Sequence, residues 1–186
     1  GLKSHIFMPK GKETDIMSSI SNTKGAEIHL VDVGYNNVVI SRAKSWSKQK
    51  DVFHIPFGLE LQTTIDINKH QVQNIPNEVN RVVIPCGGGM NMASVITGID
   101  YYSKQINKVV GVVVGKNPQK TLDRFVGVVG DIWHKKTNYE LVESNTDYHT
   151  KASVISFCGI DLDEVYEAKC LPFLQKGDLL WIVGRK

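Results

Sequence analysis

The feature that most limits the fold is an apolar run that ends in three glycines and reopens as a helix: "NRVVIPCGGGMNMASVITGIDYYSKQ", Asn80 to Gln105. Val82, Val83 and Ile84 are consecutive and apolar, which reads as a strand. A strand that enters a helix through a tight turn is half of a β-α-β unit, and such units stack as parallel sheets with right-handed crossovers. "KVVGVVVG" supplies the next strand, and "NPQKTLDRFVGVVG" the next helix, with Pro118 at its start and Leu122, Phe125 and Val126 on its inner face.

The same rhythm runs through the first part of the chain. "SHIFMP" reads as a strand stopped by Pro9 and Gly11, a helix is expected from Glu13 to Thr23, and "AEIHLVDV" reads as a second strand. "NNVVISRAKSWSKQK" gives a helix with its lysines outward, and "VFHIPFG" a third strand. From Leu59 to Asn80 the signal turns polar, a linker plus a helix around "INKHQVQNI". The expectation is an α/β protein with parallel sheets in two lobes, a partial small lobe over 1–58 and a larger one over 59–186. Asp131 to Asp163 shows no clean period, and "DLLWIVG" is the final strand.

A glycine turn between strand and helix bares backbone N–H groups, and the helix N-terminus adds partial positive charge, so the pair makes an anion seat. Gly87, Gly88, Gly89, Met90 and Asn91 occupy that position. The spacing is neither Walker A, for want of a following Lys-Ser/Thr pair, nor GxGxxG. Two readings stay open on the residues alone: a phosphate seat, or a turn that glycine merely makes tight.

The remaining chemistry-bearing residues are dispersed. Cys86, Cys158 and Cys170 lack CxxC spacing, and no apolar run approaches the ~18 residues of a membrane span, so a reduced cytoplasmic protein is expected. With a net charge of +3 and scattered basic residues, "SRAKSWSKQKD" reads as a solvated helix face, and nucleic acid is not an expected partner. The six histidines form no HExxH, His29 reads as a strand-surface residue, and no metal is expected. Cys86 reads as a packing residue at a strand end, and Asp161, Asp163 and Glu164 as an acidic turn without calcium-loop spacing.

In order, "GLKSHIFMPKG", "GAEIHLVDVGYNNVVISRAKSW", "FHIPFG", "VVIPCGGGMNMASVITGI", "KVVGVVVG" and "GIDLDEVYEAKCLPFL" resemble the pyridoxal-phosphate (PLP) enzymes of the tryptophan-synthase-β type, fold type II. The aminocyclopropane-carboxylate (ACC) deaminase and D-cysteine desulfhydrase branch is the nearest, and the resemblance covers nearly the whole chain. It implies three-layer parallel sheets, PLP as cofactor, and Gly87 to Asn91 as the cup for its phosphate. Tyr148, in "NTDYHTK", falls where that branch has a substrate-side tyrosine. The Schiff-base lysine and an SGN-like loop would precede Ser4, where Gly1 to Lys3 leave no room, and Gly184 falls near the usual partner of the ring nitrogen. Lys116, at a strand end, and Lys169, read as a solvent-facing helical lysine, are the substitutes to weigh, and neither is assigned to catalysis.

The resulting expectation is the C-terminal part, or a shortened relative, of a PLP-dependent amino-acid lyase or deaminase, without an evident Schiff-base lysine and so a candidate pseudoenzyme. Its expected partners are a small phosphate-containing ligand or amino acid, and an N-terminal enzyme segment or a second copy of itself. Two other classes remain: a non-catalytic binding or assembly protein that keeps the fold, and a phosphoribosyl or nucleotide transferase that uses the glycine turn as its anion seat.

Overall fold

The computed structural model describes residues 2–11, 19, 24–32, 36–133 and 137–183. The helix expected over 13–23 falls outside the described residues except for Ser19, and so does Gly184. The chain divides into two compact units, Gly1–Phe57 and Gly58–Lys186.

In the first unit, β1 (His5–Pro9) and β2 (Glu27–Val31) pair in parallel, with His5 opposite Glu27 and Phe7 opposite His29. The two-residue period of a strand puts these four side chains on one face. Trp46, from α1 (Asn36–Lys50), packs there, its ring centroid 4.5 Å from that of His5 and 5.1 Å from that of His29. The third strand expected from "VFHIPFG" does not form: residues 52–56 have no regular structure, and Phe57–Leu59 is a single 3-10 turn. Apolar content makes a strand only where a neighbour completes the ladder, and Pro56 has no N–H to give. Phe53, Ile55 and Phe57 stay exposed.

The second unit is built on a four-stranded, all-parallel sheet in the order β5-β4-β3-β8. Its strands are β3 (Glu78–Cys86), β4 (Gln105–Val113), β5 (Tyr139–Glu143) and β8 (Leu179–Leu180). Both β3 and β4 are buried over their last five residues, on both faces. On one face Val82, Ile84, Cys86 and Val109 pack with Met92, Val95 and Ile96 of α3 (Met90–Tyr101), with Ile65 of α2 (Gln62–Asn68) and with Leu122 and Phe125 of α4 (Gln119–Trp133). On the other, Val83, Val110 and Val112 meet Cys170, Tyr166 and Phe173, which lie in or next to the 3-10 helix Glu167–Phe173. The unit is therefore α/β in three layers, with the sheet in the middle. The stretch from Asp131 to Asp163, unreadable by period, contributes β5 and a small antiparallel hairpin of β6 (Ser156–Phe157) and β7 (Ile160–Asp161). Among the described residues no helix is long and apolar enough to cross a membrane.

Two cationic side chains hold the strand starts. Lys104, between α3 and β4, donates to the carbonyl of Ile75 at 2.8 Å and to Asn77 Oδ1 at 3.0 Å. Arg81 of β3 grips Asp178, which leads into β8, through Nη2 to Oδ2 at 2.6 Å and Nε to Oδ1 at 3.1 Å, and its Nη2 also donates to the carbonyl of Phe173. The Asp178 side chain is fully buried. Burial opposes its ionisation, but the Arg81 guanidinium and the Gln175 amide outweigh that and hold the carboxyl below its ordinary 3.8. Removing one partner of a buried pair strands the other charge, so Arg81→Ala should lower stability by about 3 to 5 kcal/mol in chemical denaturation. The folded-state value lies below the unfolded one, so the pair's contribution is complete above about pH 4 and is lost as pH falls through the folded value. Acid unfolding of the Arg81→Ala protein should accordingly show a shallower dependence on pH in that range.

Candidate anion site at the strand ends

Cys86, the last residue of β3, pairs with Val113, the last of β4, and the amide of Val114 donates to the carbonyl of Cys86 at 3.1 Å. The two central strands thus end level, at the edge where parallel sheets bind ligands. Gly87, Gly88 and Gly89 leave β3 here and open α3.

The three glycines do different work. Gly89 is the N-cap of α3 at φ +90°, a left-handed conformation, and a Cβ there would lie 3.0 Å from the Cβ of Pro118 at the start of α4. Gly87 donates its N–H to the hydroxyl of Tyr166 at 3.0 Å, and a Cβ on it would lie 3.0 Å from the same oxygen. Gly88 is exposed, and a Cβ on it would meet nothing within 4 Å. Close packing explains the outer two, whereas the middle one opens to solvent. The first N–H groups of α3 have no intrahelical acceptor, and no acidic residue stands in its first turn. Of the two other expected seat residues, Met90 is buried in the core and can offer only its backbone, while Asn91 is half-buried.

Tyr148 stands beside the end of β4. Its ring carbon Cδ2 is 3.6 Å from the Cβ position of Gly115, and the residue is about half exposed. Lys169 is buried, contrary to the solvent-facing place expected for it. Its helix lies under the sheet, so the side chain runs through the interior, and Nζ donates to the carbonyls of Asp147 at 2.7 Å and Tyr148 at 2.9 Å. The ammonium therefore fixes the loop that carries Tyr148. Lys116 is exposed, one residue beyond Gly115.

Tyr166 is the residue that sequence reasoning left without a role. It lies 79 positions from Gly87, and nothing in the linear pattern joins the two. Burial pushes its phenol up to about 12 against the opposing bond from the Gly87 amide, and burial likewise pushes the Cys86 thiol up to about 12. Both are neutral at physiological pH. Cys86 packs its sulfur 3.8 Å from that of Met92, and as a buried thiol it is no nucleophile.

A three-layer α/β unit with a glycine turn at the level ends of two parallel strands defines the class. Its architecture is fold type II of the PLP enzymes, since the chain superposes on the crystal structure of an ACC deaminase homologue with a TM-score of 0.73 at 19% identity. That match covers 98% of this chain and 65% of the other. Among curated proteins, the O-seryl-dTMP PLP-dependent decarboxylase of Salmonella phage ViI is 24% identical over 148 residues, which covers 71% of this chain and 35% of that protein. The chain thus spans about a third of the curated relative and just under two thirds of the solved one. No family model matches it.

The division of labour among the glycines is testable by stability alone. Gly89→Ala should cost about 1 to 2 kcal/mol for the left-handed backbone, plus the displacement of Pro118. Gly88→Ala should stay within about 0.5 kcal/mol of the parent, because nothing obstructs the added methyl. Equilibrium urea unfolding of the two variants measures both.

Proposed function

We propose that this chain provides the phosphate seat of a PLP-type enzyme acting on an amino compound, with Gly88, Gly89 and Asn91 holding the cofactor's phosphate while Tyr166 engages the Gly87 amide and fixes the turn. The observation that carries the reading is Gly88: an exposed glycine with open space above it, at the N-terminus of a helix and at the end of a central strand. A phosphate fits there because the bare backbone lets it approach the amides and the uncompensated helix end favours its charge. The fold-type II architecture supports PLP over other phosphate compounds.

When bound, PLP supplies an electron sink for negative charge developing beside an amine. The chain's own residues hold and shape. Tyr166 accepts from the Gly87 amide and keeps its proton through neutral pH, so it stiffens the turn and remains a hydrogen-bond donor. Tyr148, anchored through the two carbonyls that Lys169 holds, offers a half-exposed phenol on the β4 side for the amino substrate. With its ammonium bound to those carbonyls, Lys169 is engaged structurally and is not the covalent anchor. A lyase or deaminase reaction is the class proposed, and the named substrate of the phage relative, an amino acid joined to a nucleotide, makes dTMP a useful competitor to test.

The experiment compares PLP, pyridoxal, inorganic phosphate and dTMP as ligands of the 186-residue chain. PLP should bind at least about tenfold more tightly than pyridoxal, since pyridoxal lacks the charge the seat recognises. Gly88→Asp should abolish that difference by bulk and like charge, while circular dichroism shows the fold unchanged. Unaltered PLP affinity in folded Gly88→Asp protein would sink the phosphate seat, and preference for dTMP over PLP would move the assignment to a nucleotide enzyme. Borohydride reduction followed by peptide mass spectrometry should leave Lys169 unlabelled, and stoichiometric labelling there would overturn its structural role.

A further inference from the structure

The first unit carries a group of side chains that the PLP reading does not use. His5, Glu27 and His29 converge on one face of the β1–β2 pair, and one donor atom from each lies within 4.8 Å of the others. His5 Nδ1 is 3.1 Å from His29 Nε2, while Glu27 Oε2 lies 3.6 Å from His5 Nδ1 and Glu27 Oε1 lies 3.6 Å from His29 Nε2. We propose that His5, Glu27 and His29 form a divalent-cation site of the zinc type, joining β1 to β2.

The donor spacing carries the proposal. A tetrahedral Zn²⁺ with bonds of about 2.0–2.1 Å holds its ligand atoms about 3.3–3.4 Å apart. The nitrogen pair at 3.1 Å and the two nitrogen–oxygen pairs at 3.6 Å, one from each carboxylate oxygen, fall within about 0.3 Å of that edge, so a rotation of the Glu27 carboxylate brings one oxygen or both onto an ion between the imidazoles. Two imidazoles and a carboxylate are a zinc donor set, and imidazole nitrogen disfavours magnesium and calcium. Three protein donors leave the fourth position to water.

The surroundings are those of a built site. Phe7 stacks on the His29 ring at 4.4 Å between centroids and 9°, and Trp46 lies 4.5 Å from the His5 ring, so both imidazoles are held by aromatic neighbours. Lys3 Nζ is 3.2 Å from Glu27, but its side chain is mostly exposed and can move into water when a cation takes its place. Among the described residues of this unit no hydrophobic side chain is fully buried. A unit with so little core is the kind that a metal crosslink stabilises.

The test uses the tag-free chain carrying Cys158→Ser, because Cys158 is an exposed thiol that would bind zinc by itself. Calorimetric titration with Zn²⁺ should show one saturable equivalent, with none for Mg²⁺, and Co²⁺ should give the visible absorption of a tetrahedral ion. The melting temperature should rise with Zn²⁺ and fall back with chelator. Glu27→Gln and His5→Gln should each weaken binding by roughly 10- to 100-fold or more, while His54→Ala, outside the cluster, leaves it unchanged. Circular dichroism checks that each variant is folded, and the parent titration stands without them. Absence of saturable Zn²⁺ uptake by the parent, or undiminished uptake by folded Glu27→Gln and His5→Gln proteins, overturns the site. PLP binding in the second unit is unaffected by either result, so the two assignments fail separately.

Discussion

The parallel pairing of β3 with β4 is the constraint on which the second unit depends. Two nine-residue strands run side by side in the same direction, and each is buried on both faces over its last five residues. A parallel pair cannot be closed by a hairpin, so the chain must cross back, and α3 is that crossover. Because Cys86 and Val113 are partners, both strands release the chain at the same level, and the connection from β3 to α3 turns there within three residues. Gly89 meets the demand where α4 begins, and Gly87 where Tyr166 approaches, leaving Gly88 as the open backbone between two crowded positions. The candidate seat is thus a consequence of sheet topology as much as of a motif.

Features written in one local segment were legible in the sequence. The valine runs of β3 and β4, the glycines between β3 and α3, and Pro118 before α4 each specify a piece of structure from within a few residues, and all fall where the pattern put them. Features that need a distant partner were not. "VFHIPFG" has a strand's composition, but strand formation is decided by a neighbour's N–H and C=O groups, and residues 52–56 remain irregular. Lys169 looked solvated because a lysine in a helix usually is, while its amine is held by two carbonyls more than twenty positions away. Tyr166 has no local signal at all: its role exists only because the 3-10 helix packs under β3. The same holds for His5, Glu27 and His29, whose meeting is set by strand register, a quantity that linear spacing does not contain.

The electrostatics of the glycine turn follow from what surrounds it. Cys86, which precedes it, and Tyr166, which bonds to it, are both kept neutral by burial, with values pushed to about 12. The first turn of α3 holds no carboxylate. The partial positive charge of the helix end and its unpaired amides are therefore not answered from within the turn, and water or an anion must answer them. The bond from the Gly87 amide to Tyr166 spends a single donor on an uncharged acceptor and leaves the sign of the field unchanged. A thiolate or a carboxylate in either position would have cancelled that field and made the turn a closed structural cap. Burial of those two groups thus does more than fill the core: it preserves the charge asymmetry on which anion recognition at Gly88 rests.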